Sequence, residues 1–339
     1  MDTTEKNFEA SIEATLLRDP LSSAPQDASA LAEAPTGAYL SGGYQRREPT
    51  DYDKALCLVP KDVVSFIQAT QPKEWQKMTT QHGADAKPTL LKRLASEVHK
   101  HGTLHVLRKG IKANGCKFRL AYFKPSYGLN EASQKLYLAN QFSVVRKLDY
   151  SEKGNKTLDM AIFLNGLPLF TAELKNPFKG QHVQDAVRQY RLDRDPKEPL
   201  FQFGRCLAHF ALDPSLVYVT TELKGGKTAF LPFNQGHNLG AGNPPSWKGF
   251  ATAYLWEQVW ARDSVLNLVQ HFIHIVELED DKGNKTGERS LLFPRYHQLD
   301  CVRRLVADAL ARGVGHCDLI QHSAGSGKSN TIAWLAHQL

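Results

Sequence analysis

Near the middle of the 339-residue chain, one acid and a Glu-x-Lys pair stand close together in sequence. Asp159 lies in Leu158-Asp159-Met160; Glu173 and Lys175 lie in Thr171-Ala172-Glu173-Leu174-Lys175-Asn176-Pro177. Two carboxylates can hold a hard divalent cation such as Mg²⁺ through oxygen. Such a cation polarises a phosphate and lowers the pKa of a bound water. A lysine beside it orients that water or neutralises developing charge. Phosphodiester hydrolysis is the chemistry these residue types suit. A solvated hairpin with a surface ion pair would use the same three residues. Their apolar neighbours Ala161, Phe163, Leu169 and Leu174 argue instead for a semi-buried trio, which needs a partner such as a metal.

Glu173 and Lys175 are two apart, so a strand sets them on one face. Residues 158–164 and 168–174 are strand candidates joined around Asn165-Gly166, a hairpin signal. A plain two-residue turn pairs 164 with 167, and therefore 159 with 172, leaving Asp159 and Glu173 on opposite faces. A three-residue loop or a bulge pairs 159 with 173 and unites them. The metal reading therefore requires an odd-length connection or a bulge. Around this hairpin the pattern predicts a helix starting at Gly128-Leu129-Asn130-Glu131 and running to about 140, and a strand over 142–148. A helix over 181–194 and a strand over 206–212 follow. Glu131 is a candidate third carboxylate. The expected order is helix, three strands, helix, strand.

A second motif lies at Leu319-Ile320-Gln321-His322-Ser323-Ala324-Gly325-Ser326-Gly327-Lys328-Ser329. The glycines let backbone N–H groups curl onto a phosphate at a helix N-terminus. Lys328 would reach the β/γ-phosphates of ATP and Ser329 would bind its Mg²⁺. Leu319-Ile320 reads as a buried strand and the segment from Lys328 as a helix. His322 replaces the first glycine of the longer phosphate-loop pattern; the shorter Gly-x-Gly-Lys-Ser core is intact. Upstream, Gln298 in Phe293-Pro294-Arg295-Tyr296-His297-Gln298 is a candidate adenine reader. No acidic motif follows in the last ten residues, so independent ATP hydrolysis, which needs such parts, is not expected.

The net charge is +7, unevenly placed. Between Lys92 and Lys124 stand nine Lys and Arg residues against Glu97 alone. That stretch carries +8 and suits a phosphate backbone. Hydrophobic content of 42% and charged content of 23% fit a soluble globular protein. No run approaches the roughly 18 apolar residues of a membrane span, and the acidic, polar N-terminus is no secretory signal. Five scattered cysteines without close pairs point to a reducing cytoplasm rather than a disulfide or zinc framework. The expected organisation is a helix (4–17, with Phe8, Ile12 and Leu16 on one stripe) and flexible segment over 1–50. A catalytic domain over 51–276 follows, then a linker over 277–290 and the start of a motor domain over 291–339. Residues 256–276 read as helical.

Together these motifs resemble known families. The acid plus Glu-x-Lys hairpin resembles the PD-(D/E)xK nuclease signature, whose αβββαβ core has the order expected here. Gly325–Ser329 and Gln298 resemble motif I and the adenine-reading element of superfamily 2 helicases, with a RecA-like motor lobe. The whole run also includes Asp185-Ala186-Val187-Arg188-Gln189-Tyr190, Asp193-Arg194-Asp195-Pro196, Leu231-Pro232-Phe233-Asn234 and Gly240-Ala241-Gly242-Asn243-Pro244. It resembles the R (restriction and translocation) subunit of type I restriction enzymes, of which this would be the N-terminal part. The resemblance implies Mg²⁺-dependent cleavage of double-stranded DNA, ATP-driven translocation, and assembly with methyltransferase and specificity subunits. Related nucleases carry Gln-x-x-x-Tyr on the helix after Glu-x-Lys. Here Ala186 stands at the glutamine position before Tyr190, so Gln184, Gln189 and Tyr190 are accessory candidates.

Overall fold

A computed structural model describes residues 5–19, 39, 41–125, 130–177, 180–238, 240–247, 249–280, 282–313 and 315–339. Thr4, Gly128, Leu129 and most of the expected flexible segment over 18–50 lie outside the described residues. At the centre is a seven-stranded mixed sheet in the order β1-β4-β5-β6-β7-β8-β9. Its strands are β1 (Tyr44–Arg47), β4 (Phe142–Asp149), β5 (Thr157–Leu164), β6 (Leu167–Leu174), β7 (Ala208–Leu212), β8 (Val217–Thr220) and β9 (Leu231–Pro232). β1 pairs parallel to β4, and β6 parallel to β7; the other neighbours are antiparallel.

The sequence pattern explains the middle of this sheet. Every residue of β6 is buried, the continuous apolar run of a strand covered on both faces. β5 alternates between two cores. Met160, Ile162 and Leu164 join the larger one, with helices α1 (Glu5–Leu17), α2 (Pro60–Thr70), α4 (Ala86–His101) and α5 (Thr103–Lys109). Ala161 and Phe163 join the other, under α7 (Val183–Leu192). Phe8, Ile12 and Leu16 of α1 are fully buried, and Phe8 packs edge-on against Phe250 and Trp256. Thus α1 and β1 belong to the same core as the strands that carry the central acids.

The helix α6 (Glu131–Leu138), strands β4 to β6, α7 and β7 give the expected order of a nuclease-like α/β core. β7 begins at Ala208, two residues later than expected. α3 (Pro72–His82) and a small hairpin, β2 (Ile111–Ala113) and β3 (Cys116–Phe118), complete the larger side.

Several expectations change. Residues 256–276 are not one helix: π-helical turns over Leu255–Val259 and Leu268–Phe272 flank the short α8 (Arg262–Asn267). The expected linker over 277–290 falls within the antiparallel pair β10 (His274–Glu279) and β11 (Lys285–Leu292). Ile275 and Val276, β-branched and able to pair with Leu291 and Ser290, favour strand over a helical continuation. Leu319 and Ile320 do not form the buried strand expected of a motor lobe. Both are exposed, Leu319 at 95%, and neither belongs to a described sheet. What remains of that motif is a turn leading into α10 (Lys328–Ala336), packed against α9 (Tyr296–Arg312).

Candidate active site

The hairpin contains both features weighed from its spacing: a two-residue Asn165-Gly166 turn and a bulge. Leu164 pairs with Leu167 and Phe163 with Pro168, but Ile162 pairs with Phe170. Leu169 is the extra residue. Beyond it Met160 pairs with Ala172, so continuation of the register sets Asp159 opposite Glu173. The backbone N–H of Leu174 donates to Asp159 Oδ2 at 2.8 Å, fixing the acid at the end of the sheet. The turn itself is tightly held. Asn165 and Gly166 have positive φ, as an Asn-Gly hairpin turn requires. A Cβ on Gly166 would stand 2.5 Å from the Val59 carbonyl oxygen.

Glu173 is fully buried. Its Oε1 accepts from Arg194 Nε at 2.8 Å and lies 2.5 Å from Nη2. Arg194 is held in turn by the Thr157 carbonyl at 2.8 Å, and its guanidinium lies over the Tyr150 ring. Glu173 Oε2 is buried with no hydrogen-bond donor. Burial, reinforced by the neighbouring charge of Asp159, pushes the Glu173 carboxyl up to about 8 against the pull of Arg194. Arg194 favours the ionised acid, but burial and the adjacent Asp159 charge together outweigh it.

Asp159 is the more open acid, its side chain 14% exposed. Burial would raise its pKa, but the Lys147 ammonium at 2.6 Å and the Leu174 N–H outweigh that and hold it below the ordinary value. Lys147 sits inside β4 with φ of 49°, a left-handed conformation uncommon for a non-glycine residue. Next to it, Arg146 pairs with Glu9 at 3.0 Å and Glu13 at 2.8 Å, both from α1. Glu9 also lies 3.7 Å from Lys147.

The other predicted residues fall into different places. Lys175 follows β6, its N–H donating to the Leu212 carbonyl. Its side chain lines a cleft of about 280 Å³ with Arg188, Gln189 and Asp193. Gln189 therefore shares that cleft, whereas Gln184 is exposed on α7 outside it. Tyr190 is buried beneath: its hydroxyl meets Thr171 Oγ1 at 2.8 Å, which also meets His209 Nδ1 at 2.7 Å. Burial pushes His209 down to about 3, so it is a neutral hydrogen-bonding group. Ala186, where a glutamine would complete Gln-x-x-x-Tyr, is packed in the core.

Glu131 is not brought to the acids. It is exposed at the start of α6, and the strand that follows begins opposite Leu164, about 17 Å along β5 from Asp159 at strand rise.

Carboxylates from α1 meet Lys147, the partner of Asp159, and Arg146 beside it. The sequence held a signal for them: Glu9 and Glu13 are four apart beside the Phe8, Ile12, Leu16 stripe, and i,i+4 residues share a helix face. Lys147 and the role of Arg194 had no local signal, since each depends on a tertiary contact.

Among the described residues no three His, Cys, Asp or Glu side chains converge as a metal cage. The Asp159–Glu173 pair still fits a hard cation: it offers carboxylate oxygens, and Glu173 Oε2, buried beside Asp159, is where a shared proton or a cation would be held.

At the second motif, Gly325 and Gly327 have positive φ. Gln298 donates to the carbonyls of Gly327 at 2.9 Å and Ser326 at 3.2 Å. A Cβ at Gly327 would meet Gln298 Nε2 at 2.4 Å, so glycine is needed both for the turn and for this approach. Lys328 Nζ donates to the carbonyls of Ser323 and His322, and Ser329 is exposed. No helix among the described residues is long and apolar enough to cross a membrane.

Residues 73–228 match the family model described as Type I restriction enzyme R protein N terminus. Curated relatives include the "Putative type I restriction enzyme MjaVIIIP endonuclease subunit" of Methanocaldococcus jannaschii, 24% identical over 208 residues. That alignment covers 58% of this chain and 18% of the relative. A second is the type I restriction enzyme HindI endonuclease subunit of Haemophilus influenzae, 25% identical over 214 residues, or 59% of this chain and 19% of the relative. The chain thus aligns with under a fifth of the length of either relative. With the nuclease-like sheet and its paired acids, these matches support a type I restriction enzyme R protein N-terminal region over residues 73–228.

Proposed function

We propose that this chain supplies the Mg²⁺-dependent DNA endonuclease centre of a type I restriction enzyme, with Asp159, Glu173 and Lys175 as its working residues. The observation that carries the reading is the bulge at Leu169, which sets Asp159 opposite Glu173 on the face where Glu173 Oε2 lacks a donor. The names of the relatives, endonuclease subunits both, point the same way. When bound, a divalent cation supplies Lewis acidity toward the scissile phosphate and the attacking water. The chain's residues do the rest. Asp159 and Glu173 provide the oxygen ligands, Leu174 N–H and Arg194 hold them in place, and Lys175, from the adjoining cleft, orients the water or stabilises charge on the phosphate. Gln189 is placed to assist in that cleft, and Tyr190 supports its floor.

In the whole protein this centre would be coupled to ATP-driven translocation, with Gly325, Ser326, Gly327 and Lys328 gripping phosphates, Ser329 holding Mg²⁺ and Gln298 reading adenine. Double-stranded DNA is the proposed substrate. Methyltransferase and specificity subunits are the proposed partners, in the cytoplasm. A second reading, a DNA-binding docking module without catalysis of its own, is favoured by one observation: Arg194 closes over Glu173, which has no exposed surface.

Mn²⁺ binding followed by electron paramagnetic resonance separates the two. The endonuclease reading expects saturable binding that Glu173→Gln weakens at least about tenfold. Binding that the Asp159→Asn and Glu173→Gln substitutions leave unaltered contradicts it.

A further inference from the structure

At the end of the sheet opposite Asp159 lies an open cleft of about 1160 Å³. Asn165, in the turn of the central hairpin, donates to the Leu120 carbonyl at 2.8 Å. That bond ties the cleft-lining segment 117–125 to the turn end, about 20 Å along β5 from Asp159 at strand rise. Lys109, Lys112, Lys117, Arg119 and Lys124 line this cleft. All five are exposed, and none has an ion pair among the described residues. The one acid in the lining, Glu97, is already engaged by Arg93 at 2.7 Å. Arg108 is spent on the carbonyls of Val269, Gln270 and Ile273, which fixes the floor.

The β2–β3 hairpin shows the charge most plainly. Its Ile111, Ala113, Cys116 and Phe118 face the core, while Lys112 and Lys117 stand directly opposite each other on the exposed face. Like charges in a cross-strand pair are unfavourable, and no carboxylate relieves them: Glu74 spends an oxygen on the backbone N–H of Lys117 rather than on its ammonium. The hairpin is nevertheless firmly built. Arg93 donates to the Lys112 carbonyl, Lys77 to the Gly115 carbonyl, and Gln71 bonds both backbone groups of Arg119. A rigid surface that keeps unneutralised cations in register suits an anion of repeated charge.

We propose that this cleft binds the phosphate backbone of duplex DNA, as a holding site separate from the paired acids. Of the aromatics in the lining, Phe118 is buried in the hydrophobic core and Tyr122 and Phe123 pack against it. They are therefore not free platforms on which unpaired bases would stack. What the cleft offers is charge without base reading, so its contact with DNA is independent of sequence. The proposal shares with the endonuclease reading only the choice of DNA, and it does not require that the acids cut.

The test is binding of the 339-residue chain to an arbitrary fluorescent duplex in EDTA, followed by anisotropy across a salt series. Lys112→Gln with Lys117→Gln is expected to weaken binding roughly tenfold or more and to reduce the slope of log K against log salt by about 1.8. Lys112→Arg with Lys117→Arg should restore both. Lys285→Gln, on the β10–β11 hairpin and outside the cleft lining, should change little. Binding is read in EDTA, without cleavage, so a failed nuclease assay and a failed cleft are distinguishable. Unaltered affinity and slope in the folded double glutamine variant would overturn the proposal. So would an equal loss with Lys285→Gln, tighter binding of single-stranded than duplex DNA, or no duplex binding by the unsubstituted chain at low salt.

Discussion

Arg194 directs two of its nitrogens to a single oxygen of Glu173, at 2.8 and 2.5 Å, and leaves the second oxygen of that buried carboxylate without a donor. Half of the acid is thus locked by the protein and half kept for something else. Arg194→Ala removes the lock and, above about pH 8 where Glu173 is ionised, leaves a buried charge uncompensated, a change that typically costs about 3–5 kcal/mol. Urea unfolding of the metal-free chain should show this loss as a lower midpoint at unchanged slope. Arg194→Lys, which keeps the charge but not the two-nitrogen grip, should lose less.

The same acid gives a pH signature. Its folded value, pushed up to about 8 by burial and Asp159, lies above its ordinary 4.5. Its contribution to stability is therefore fully present below pH 4.5 and is lost as pH rises toward 8. Asp159 runs the other way: its depressed value contributes above its ordinary 3.8 and that contribution is lost as pH falls. In EDTA, unfolding free energy should decline between pH 5 and 8 more steeply in the unsubstituted chain than in Glu173→Gln. Saturating Mg²⁺ should flatten the decline, since a bound cation replaces the proton. Equal slopes for the two proteins would remove the burial argument.

Gly166 tests the turn that sets the register. Its φ of 81° and the 2.5 Å approach to the Val59 carbonyl leave no room for a side chain. Gly166→Ala should destabilise the chain by about 1–3 kcal/mol, read by thermal unfolding. A neutral effect would mean that the turn relaxes freely and does not fix the acids.

Much of the centre was legible because strand periodicity is strict. The two-residue spacing of Glu173 and Lys175, and the arithmetic that separated Asp159 from Glu173 unless a bulge intervened, depend only on residue counting. Leu169 is where the bulge falls, and nothing in the local sequence marks that position, though Pro168 beside it lacks a ladder donor. Glu131 was read from element order alone, and it stands exposed at the start of its helix. Glu9 and Glu13 were readable as an amphipathic helix face but not as neighbours of Arg146 and Lys147, because that contact joins residues more than a hundred positions apart. The apolar run after Trp256 contains residues compatible with both helix and strand, and the pairing of Ile275 with Leu291 decided it. Leu319 and Ile320 had strand composition, but neither belongs to a described sheet.

The central claim is that Asp159, Glu173 and Lys175 cut DNA with a divalent cation. The most direct measurement is cleavage of supercoiled duplex DNA by the R protein carrying this region, assembled with its partner subunits and supplied with ATP, comparing Mg²⁺ with EDTA and unsubstituted protein with Lys175→Ala. The account predicts cleavage that needs Mg²⁺ and falls by roughly 10²-fold or more in Lys175→Ala, with DNA binding and ATP hydrolysis retained. Cleavage by Lys175→Ala at the unsubstituted rate would contradict it.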